Sequence, residues 1–124
     1  MKKDKQYYNK QHYIETMQRH LEEYYLLDKQ QVVDVMPGFL ATLFKHMRSL
    51  ETLQQKGDLA ALAQASHAVR GALLNLGLFD LAEFTRQVEE QCCSPSGQSA
   101  CRNLLVELNE RLLPLRDVLQ SKPS

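Results

Sequence analysis

The spacing of apolar residues is the feature that most constrains the fold of this 124-residue chain. Between Leu59 and Gly77, they recur at steps of three and four, the spacing that keeps one stripe of an α-helix against a core. The stripe comprises Leu59, Leu62, Ser66, Val69, Leu73 and Leu76. Similar stripes precede and follow it, and no segment alternates like a strand. We therefore expect an all-α fold, an antiparallel up-down-up-down four-helix bundle with an additional N-terminal helix.

The helix boundaries follow from the same stripes and from glycine and proline. The predicted helices span roughly residues 11–27, 29–55, 59–77, 79–91 and 99–120. Gly57 and Asp58 fit a helix C-cap and the next N-cap, which predicts a tight hairpin. Pro37 predicts that the second helix either restarts near Met36 or is kinked, and Pro114 predicts a bend near the end of the last helix.

Length and composition predict one domain, spanning residues 11–120, between a flexible N-terminus (1–10) and a loose tail (121–124). The formal net charge is zero, so nothing indicates nucleic-acid binding, which would need a basic face. No apolar run approaches the roughly 20 residues that cross a bilayer, and the N-terminus lacks the apolar segment of a secretory signal. We therefore expect a cytoplasmic protein that contacts neither nucleic acid nor membrane.

The cysteines and histidines do not form a pattern typical of a metal site. Cys92, Cys93 and Cys101 lack paired C-x-x-C spacing, and a disulfide framework is not expected in the cytoplasm. His12 and His20 are eight residues apart, which places them more than about 10 Å apart on a helix. We predict neither a metal site nor a disulfide here.

His67 lies outside the buried stripe of its helix, beside Ala63, Arg70, Gly71 and Leu74, and should be at least partly exposed. An exposed imidazole is largely neutral near physiological pH and therefore nucleophilic. Arg70 supplies a fixed positive charge suited to a phosphoryl group. Gly71 costs the helix roughly 1 kcal/mol relative to alanine, but it would let another molecule approach the ring closely.

These residues resemble a known signature. His67-Ala68-Val69-Arg70-Gly71, followed by Asn75-Leu76-Gly77, is similar to the H-x-x-K/R-G…x-L-G pattern of histidine-containing phosphotransfer (HPt) domains. The resemblance covers about residues 36–120. It includes Lys56-Gly57-Asp58-Leu59 before the histidine helix, and Leu81, Phe84, Val88 and Glu89 after it. The sequence departs from the usual pattern at Arg70, where lysine is commoner, and at Leu74, where small residues are frequent.

The resemblance implies a phosphoryl carrier without kinase activity of its own. His67 would accept a phosphoryl group from a phospho-Asp receiver domain and pass it to another, Arg70 would stabilise the phosphoryl charge, and Gly71 would give steric access. The chain would need no cofactor, because Mg²⁺ belongs to the receiver. The implied partners are response-regulator receiver domains and a hybrid sensor histidine kinase. They would dock on Ala63, Leu74 and the neighbouring face of the preceding helix.

The sequence bears on three other functions. An HPt-like bundle that is not phosphorylated, and that regulates a receiver or kinase by binding it, remains the alternative. A di-iron bundle would need Glu-x-x-His pairs, which the sequence lacks. A histidine kinase would need an ATP-binding domain or a glycine-rich nucleotide loop, and neither is found in the chain.

Overall fold

A computed structural model describes residues 10–92 and 94–120, which form five α-helices and no strand. These are α1 (Lys10–Tyr24), α2 (Lys29–Lys56), α3 (Leu59–Asn75), α4 (Phe79–Cys92) and α5 (Gln98–Gln120), with a 3₁₀ turn at Pro95–Gly97. The all-α prediction is confirmed. The predicted flexible N-terminus was residues 1–10, of which Lys10 begins α1 and residues 1–9 lie outside the described residues. The predicted loose tail, 121–124, and Cys93 also lie outside them.

The helices enclose one apolar core. Helix α3 contacts α2 and α4, and α5 contacts α4 and α2, so these four helices close into a ring. Helix α1 packs on α5 and α2. Leucine and methionine supply the largest fully buried side chains: Met17, Leu21, Leu40, Leu43, Met47, Leu50, Leu62, Leu73, Leu76, Leu108, Leu112 and Leu115. No helix in the described part of the chain is long and apolar enough to cross a bilayer.

Helix α2 begins at a capping box and ends at a glycine. The Asp28 carboxylate accepts a hydrogen bond from the Gln31 amide at 2.8 Å, and the Gln31 side chain accepts one from the Asp28 amide at 2.9 Å. Gly57 ends the helix in the left-handed region, with φ of 75°. Asp58 then caps α3 by accepting from the Ala61 amide at 3.1 Å. The predicted Gly57 and Asp58 caps are confirmed.

Both internal prolines lie within continuous helices. Helix α2 runs through Pro37, so the prediction of a restart near Met36 is wrong. Proline removes one backbone hydrogen bond, but buried Val32 and Met36 on its N-terminal side and Leu40 on its C-terminal side anchor both halves in the core. Helix α5 likewise runs through Pro114 to its end. A kink at Pro37 and a bend at Pro114 stay predictions.

Helix α3 ends two residues before the predicted Gly77, in a Schellman motif. The Leu78 amide donates to the Leu73 carbonyl and the Gly77 amide donates to the Leu74 carbonyl, both at 3.0 Å. Gly77 has a φ of 76°, and a Cβ atom there would collide with His20 of α1. Glycine is therefore required twice at this turn, by its backbone conformation and by the close approach of α1.

A disulfide joins α4 to α5, contrary to the sequence-based expectation. Cys92 and Cys101 are bonded across the Pro95–Gly97 turn, with their Cα atoms 4.8 Å apart, and both are buried. The prediction was wrong because it rested on compartment and spacing. It did not account for how tightly a short connection folds the chain back on itself.

The adjacent leucines Leu73 and Leu74 provide a test of the α3 packing. Leu73 is fully buried, whereas Leu74 is 42% exposed. Leu73→Ala should lower the free energy of unfolding by about 2–5 kcal/mol, because it leaves a cavity in the core. Leu74→Ala should change it by less than about 1 kcal/mol. Urea denaturation of both variants measures this difference, and equal losses would show that α3 presents a different face to the core.

Candidate functional site

Helix α3 presents His67 to solvent and its apolar stripe to the core. In the predicted stripe, Leu59 is half-buried and the other five residues, Leu62, Ser66, Val69, Leu73 and Leu76, are buried. His67 is exposed, as predicted. The burial of residues on either side of His67 along the helix fixes the rotation of α3, and therefore the direction in which the imidazole projects.

Arg70 links His67 to the neighbouring helix. Its Nη2 atom lies 3.3 Å from Nδ1 of His67, one turn back on α3. Its Nη1 atom lies 3.8 Å from Oε1 of Glu89 on α4, and both side chains of this ion pair are about three-quarters buried. The guanidinium is thus held between the imidazole and a carboxylate. The structure brings together His67 and Arg70, which the sequence singled out, and adds Glu89 to them.

The contact with Arg70 affects the chemistry of the imidazole. A guanidinium only donates hydrogen bonds, so Nδ1 of His67 accepts in this contact, and the neutral ring then carries its proton on Nε2. The unshared electron pair of Nδ1 points at Arg70 and not at solvent. Nδ1 cannot attack while its electron pair accepts from Arg70, and Nε2 cannot attack until its proton has moved to Nδ1. Attack on an electrophile by either nitrogen therefore requires the guanidinium to move away from Nδ1 first.

Gly71 leaves an open surface one turn beyond His67. A Cβ atom built on Gly71 meets nothing within 4 Å, and the residue lies inside α3 with no left-handed backbone. Neither packing nor backbone geometry therefore requires glycine at this position. The open space is what the predicted steric-access role needs.

Charges on α4 flank the site. The Arg86 side chain hydrogen-bonds Glu83 at 3.1 Å and also pairs with Glu90 on the same helix. The hydrogen bond from Arg86, followed by the nearby positive charges of Arg86 and Arg70, lowers the pKa of Glu83. Arg86 is therefore engaged by acids on its own helix, whereas Arg70 spans two helices and touches the histidine.

The predicted docking residues differ in exposure. Leu74 is exposed and Ala63 is half-buried. On α2, where the sequence did not distinguish three apolar residues, Phe39 is half-buried and Leu43 and Phe44 are buried in the core. Of these three, only Phe39 remains accessible to a partner.

The described residues contain no group of three or more His, Cys, Asp or Glu side chains placed to hold a metal ion. His12 is exposed, and His20 packs among the rings of Tyr24, Tyr25 and Phe79. The expectation that the chain needs no metal or other cofactor stays a prediction.

Sequence reasoning did not assign a role to Glu89, which it noted only within the family resemblance. Glu89 follows Arg70 by 19 positions and lies on another helix, so no local spacing relates the two residues. Their ion pair depends on how α3 and α4 pack, which periodicity alone does not determine.

Comparison with known proteins identifies the family. The family model described as Hpt domain matches residues 34–120, more than half of the chain. This range includes His67, Arg70, Gly71 and Glu89, and leaves α1 outside. Searches of curated proteins and of solved structures gave no match. With its helical ring and a model match over most of its length, the chain belongs to the Hpt domain family, whose members carry phosphoryl groups in two-component relays.

Proposed function

We propose that this protein is a histidine phosphotransfer protein that accepts a phosphoryl group on His67 from a phospho-Asp receiver domain and passes it to another receiver. The observation that carries the proposal is the exposed His67 imidazole, with Arg70 at 3.3 Å and open space over Gly71. All three occur on the surface of an Hpt domain.

The proposed transfer is a substitution at phosphorus. An imidazole nitrogen of His67 attacks, a nitrogen–phosphorus bond forms, and the bond from phosphorus to the aspartyl oxygen breaks, which returns the aspartate carboxylate to the receiver. The attacking nitrogen is the one without the ring proton, and the other nitrogen carries that proton through the step. The reverse substitution on a second receiver regenerates free His67. Neither step needs an ATP site on this chain, because the phosphoryl group is already bonded to the aspartate of the receiver.

Arg70 is well placed to respond to the incoming group. Phosphoryl oxygens are stronger hydrogen-bond acceptors for a guanidinium than a neutral imidazole is. The approaching phosphoryl group therefore draws Arg70 away from Nδ1 of His67 and frees the ring to place its proton on the nitrogen that does not attack. Glu89 limits how far the guanidinium moves, because its Oε1 atom pairs with Nη1 of Arg70 at 3.8 Å.

The proposal includes an antiparallel up-down-up-down order for α2 to α5 and a single domain over residues 11–120. Tight connections support both, since residues 57–58 join α2 to α3 and residues 76–78 join α3 to α4. The proposed partners are receiver domains, with a hybrid sensor histidine kinase as a further one. A cytoplasmic location stays a prediction from the sequence.

Incubation with a radiolabelled phospho-receiver tests the proposal. Label should move to the wild-type protein in an acid-labile, alkali-stable form, and His67→Gln should lose it completely. Circular dichroism of the variant should stay unchanged, because the side chain is exposed. Exposed His12→Gln is the matched control and should accept label normally. Label that survives His67→Gln would contradict the proposal, and absence of label with every receiver would favour the non-phosphorylated regulatory bundle.

Gly71 should lower the stability of the protein and give a receiver access to the His67 imidazole. Gly71→Gln should slow transfer from a receiver by crowding the imidazole, while it raises the free energy of unfolding by roughly 0.5–1 kcal/mol. Gly38 is a matched control, because it also lies inside a helix with nothing within 4 Å of an added Cβ. Gly38→Gln should stabilise the protein similarly without slowing transfer. Stopped-flow transfer rates and urea denaturation give both quantities, and a normal rate for Gly71→Gln would remove the access role.

Arg70 and Glu89 should contribute unequally to the transfer rate. Arg70→Ala should lower it by about tenfold or more, because the phosphoryl oxygens lose a charged donor. Glu89→Gln should have a smaller effect in the same direction, since it loosens the guanidinium but leaves it present. Glu90→Gln, on the same helix but paired with Arg86, is the control and should match the wild type. Equal rates for Arg70→Ala and the wild type would make Arg70 structural only.

A further inference from the structure

A disulfide lies in the core where α4 meets α5. Cys92 is the last residue of α4, and Cys101 lies near the start of α5, nine positions further along the chain. Both residues are completely buried. The function proposed for His67 uses neither of them, and the transfer of a phosphoryl group requires no covalent bond between these two helices.

The disulfide fixes the last turn of α4 to α5. The last four carbonyl groups of a helix have no donor within the helix. In α4 these belong to residues 89–92, and the Gln91 carbonyl accepts from the Ser94 amide at 3.3 Å. Helix ends open more readily than helix interiors. The disulfide is therefore a covalent tether at the part of α4 that opens most easily.

The tethered turn contains Glu89, the α4 residue that reaches the site. Glu89 precedes Cys92 by three residues, so both lie within one helical turn. Its Oε1 atom pairs with Nη1 of Arg70 at 3.8 Å, and Nη2 of Arg70 lies 3.3 Å from Nδ1 of His67. A continuous series of bonds and contacts therefore joins the disulfide to the imidazole.

Other contacts hold the rest of α4 in place. The guanidinium of Arg111 on α5 lies over the Phe84 ring, 4.1 Å from its centroid, and Val88 is fully buried. In the connection between the helices, the Gly97 amide donates to the Ser94 carbonyl at 3.0 Å. Reduced cysteines also pack as small apolar side chains. Opening the disulfide would therefore release the last turn of α4 and leave the bundle folded.

The cytoplasmic location predicted from the sequence favours a bond that opens and closes. Reductants keep most cytosolic thiols reduced, and the disulfides that do form there are usually transient, catalytic or redox-sensing. The Cα atoms of Cys92 and Cys101 lie 4.8 Å apart, within the ordinary range for bonded cysteines. The fold therefore holds the two residues where the bond can form again after reduction.

We propose that Cys92 and Cys101 form a reversible redox site whose oxidation state sets the rate of phosphoryl transfer at His67. The effect on transfer rests on the proposed function of His67. When the disulfide is closed, the last turn of α4 is fixed and Glu89 is held against Arg70. When it is open, this turn frays and the guanidinium loses the carboxylate on its far side. Reduction therefore slows transfer.

The co-reactant of the site is a dithiol. One of its thiolates attacks a sulfur of the pair, a mixed disulfide forms, and the other cysteine leaves as a thiolate that takes up a proton. The second thiol of the dithiol attacks the mixed disulfide, releases the remaining cysteine and closes its own disulfide. Two electrons and two protons pass to the protein, and a disulfide oxidant reverses both steps. Because both cysteines are buried, exchange begins with a local opening between α4 and α5.

Hydrogen exchange tests the structural step without phosphorylation. Full-length Cys93→Ser, which keeps the pair and removes the third thiol, is followed by NMR when oxidised and after reduction with dithiothreitol. The amides of residues 89–92 should exchange at least about tenfold faster after reduction, because their tether is lost. Residues 83–87 of the same helix should keep their rates. Equal rates at residues 89–92 in the two forms would overturn the inference.

Transfer from a phospho-receiver that lacks cysteine tests the functional step in the same background. Reduction should slow transfer about twofold to tenfold, and reoxidation should restore it. In Glu89→Gln the two forms should transfer at equal rates, because the contact through which the disulfide acts is already lost. Glu90→Gln is the matched control, since Glu90 lies in the same turn but pairs with Arg86, and it should keep the full redox effect.

The outcomes distinguish the two proposals. If no receiver labels either form, the proposed function fails, and the inference fails with it. Equal transfer rates for the two forms would overturn the inference alone. A redox effect that persists in Glu89→Gln would overturn the route through Glu89. A pair that dithiothreitol leaves oxidised, or a loss of helical circular dichroism on reduction, would make the disulfide purely structural and would also overturn the inference.

Discussion

The burial of one stripe of α3 is the constraint on which the site depends. Leu62, Val69 and Leu73 are fully enclosed between the neighbouring helices, so α3 has a single rotation and His67 has a single direction. Apolar burial contributes about 25 cal/mol per Å², and three leucine- or valine-sized side chains outweigh any preference of an exposed imidazole. The reactive residue adds little stability itself and is positioned by core residues that take no part in the chemistry.

The surface of the same helix is organised by two weaker interactions. Arg70 joins the imidazole to Glu89 across the α3–α4 boundary, and Gly71 omits a side chain beside it. The Arg70 Nη1 to Glu89 Oε1 distance of 3.8 Å is longer than a direct hydrogen bond, so Arg70 is held in place without being locked. That balance suits a relay, because the guanidinium must exchange an imidazole for phosphoryl oxygens and return when the group leaves.

Sequence periodicity was sufficient for everything that depends on neighbouring positions along a helix. It predicted five helices, the exposure of His67, and the Gly57 and Asp58 caps, each of which follows from local spacing or from one residue's backbone preference. It missed the Cys92–Cys101 disulfide and the Glu89 contact. These features join residues on different elements, and their pairing depends on how helices pack, for which a single sequence contains no direct signal.

The positions of proline and glycine also show which features follow from local sequence and which depend on helix packing. The sequence predicts a restart or a kink at Pro37, and burial on both sides keeps α2 continuous despite the loss of one hydrogen bond. At Gly77 the sequence indicated a helix end, while the second reason for glycine, contact with His20 of α1, came only from the structure. Local sequence rules therefore indicated where a helix could be interrupted or end. Tertiary contacts determined whether the helix continues there and which residue the turn requires.

The most direct test of the central claim is to locate the phosphoryl group on the wild-type protein after incubation with a phospho-receiver. Trypsin should release residues 57–70, a peptide in which His67 is the sole histidine. Mass spectrometry under alkaline conditions, with fragmentation that preserves the phosphoramidate bond, should place one added phosphoryl group on His67. Phosphorylation at another histidine, or on Ser66 of this peptide, would contradict the account.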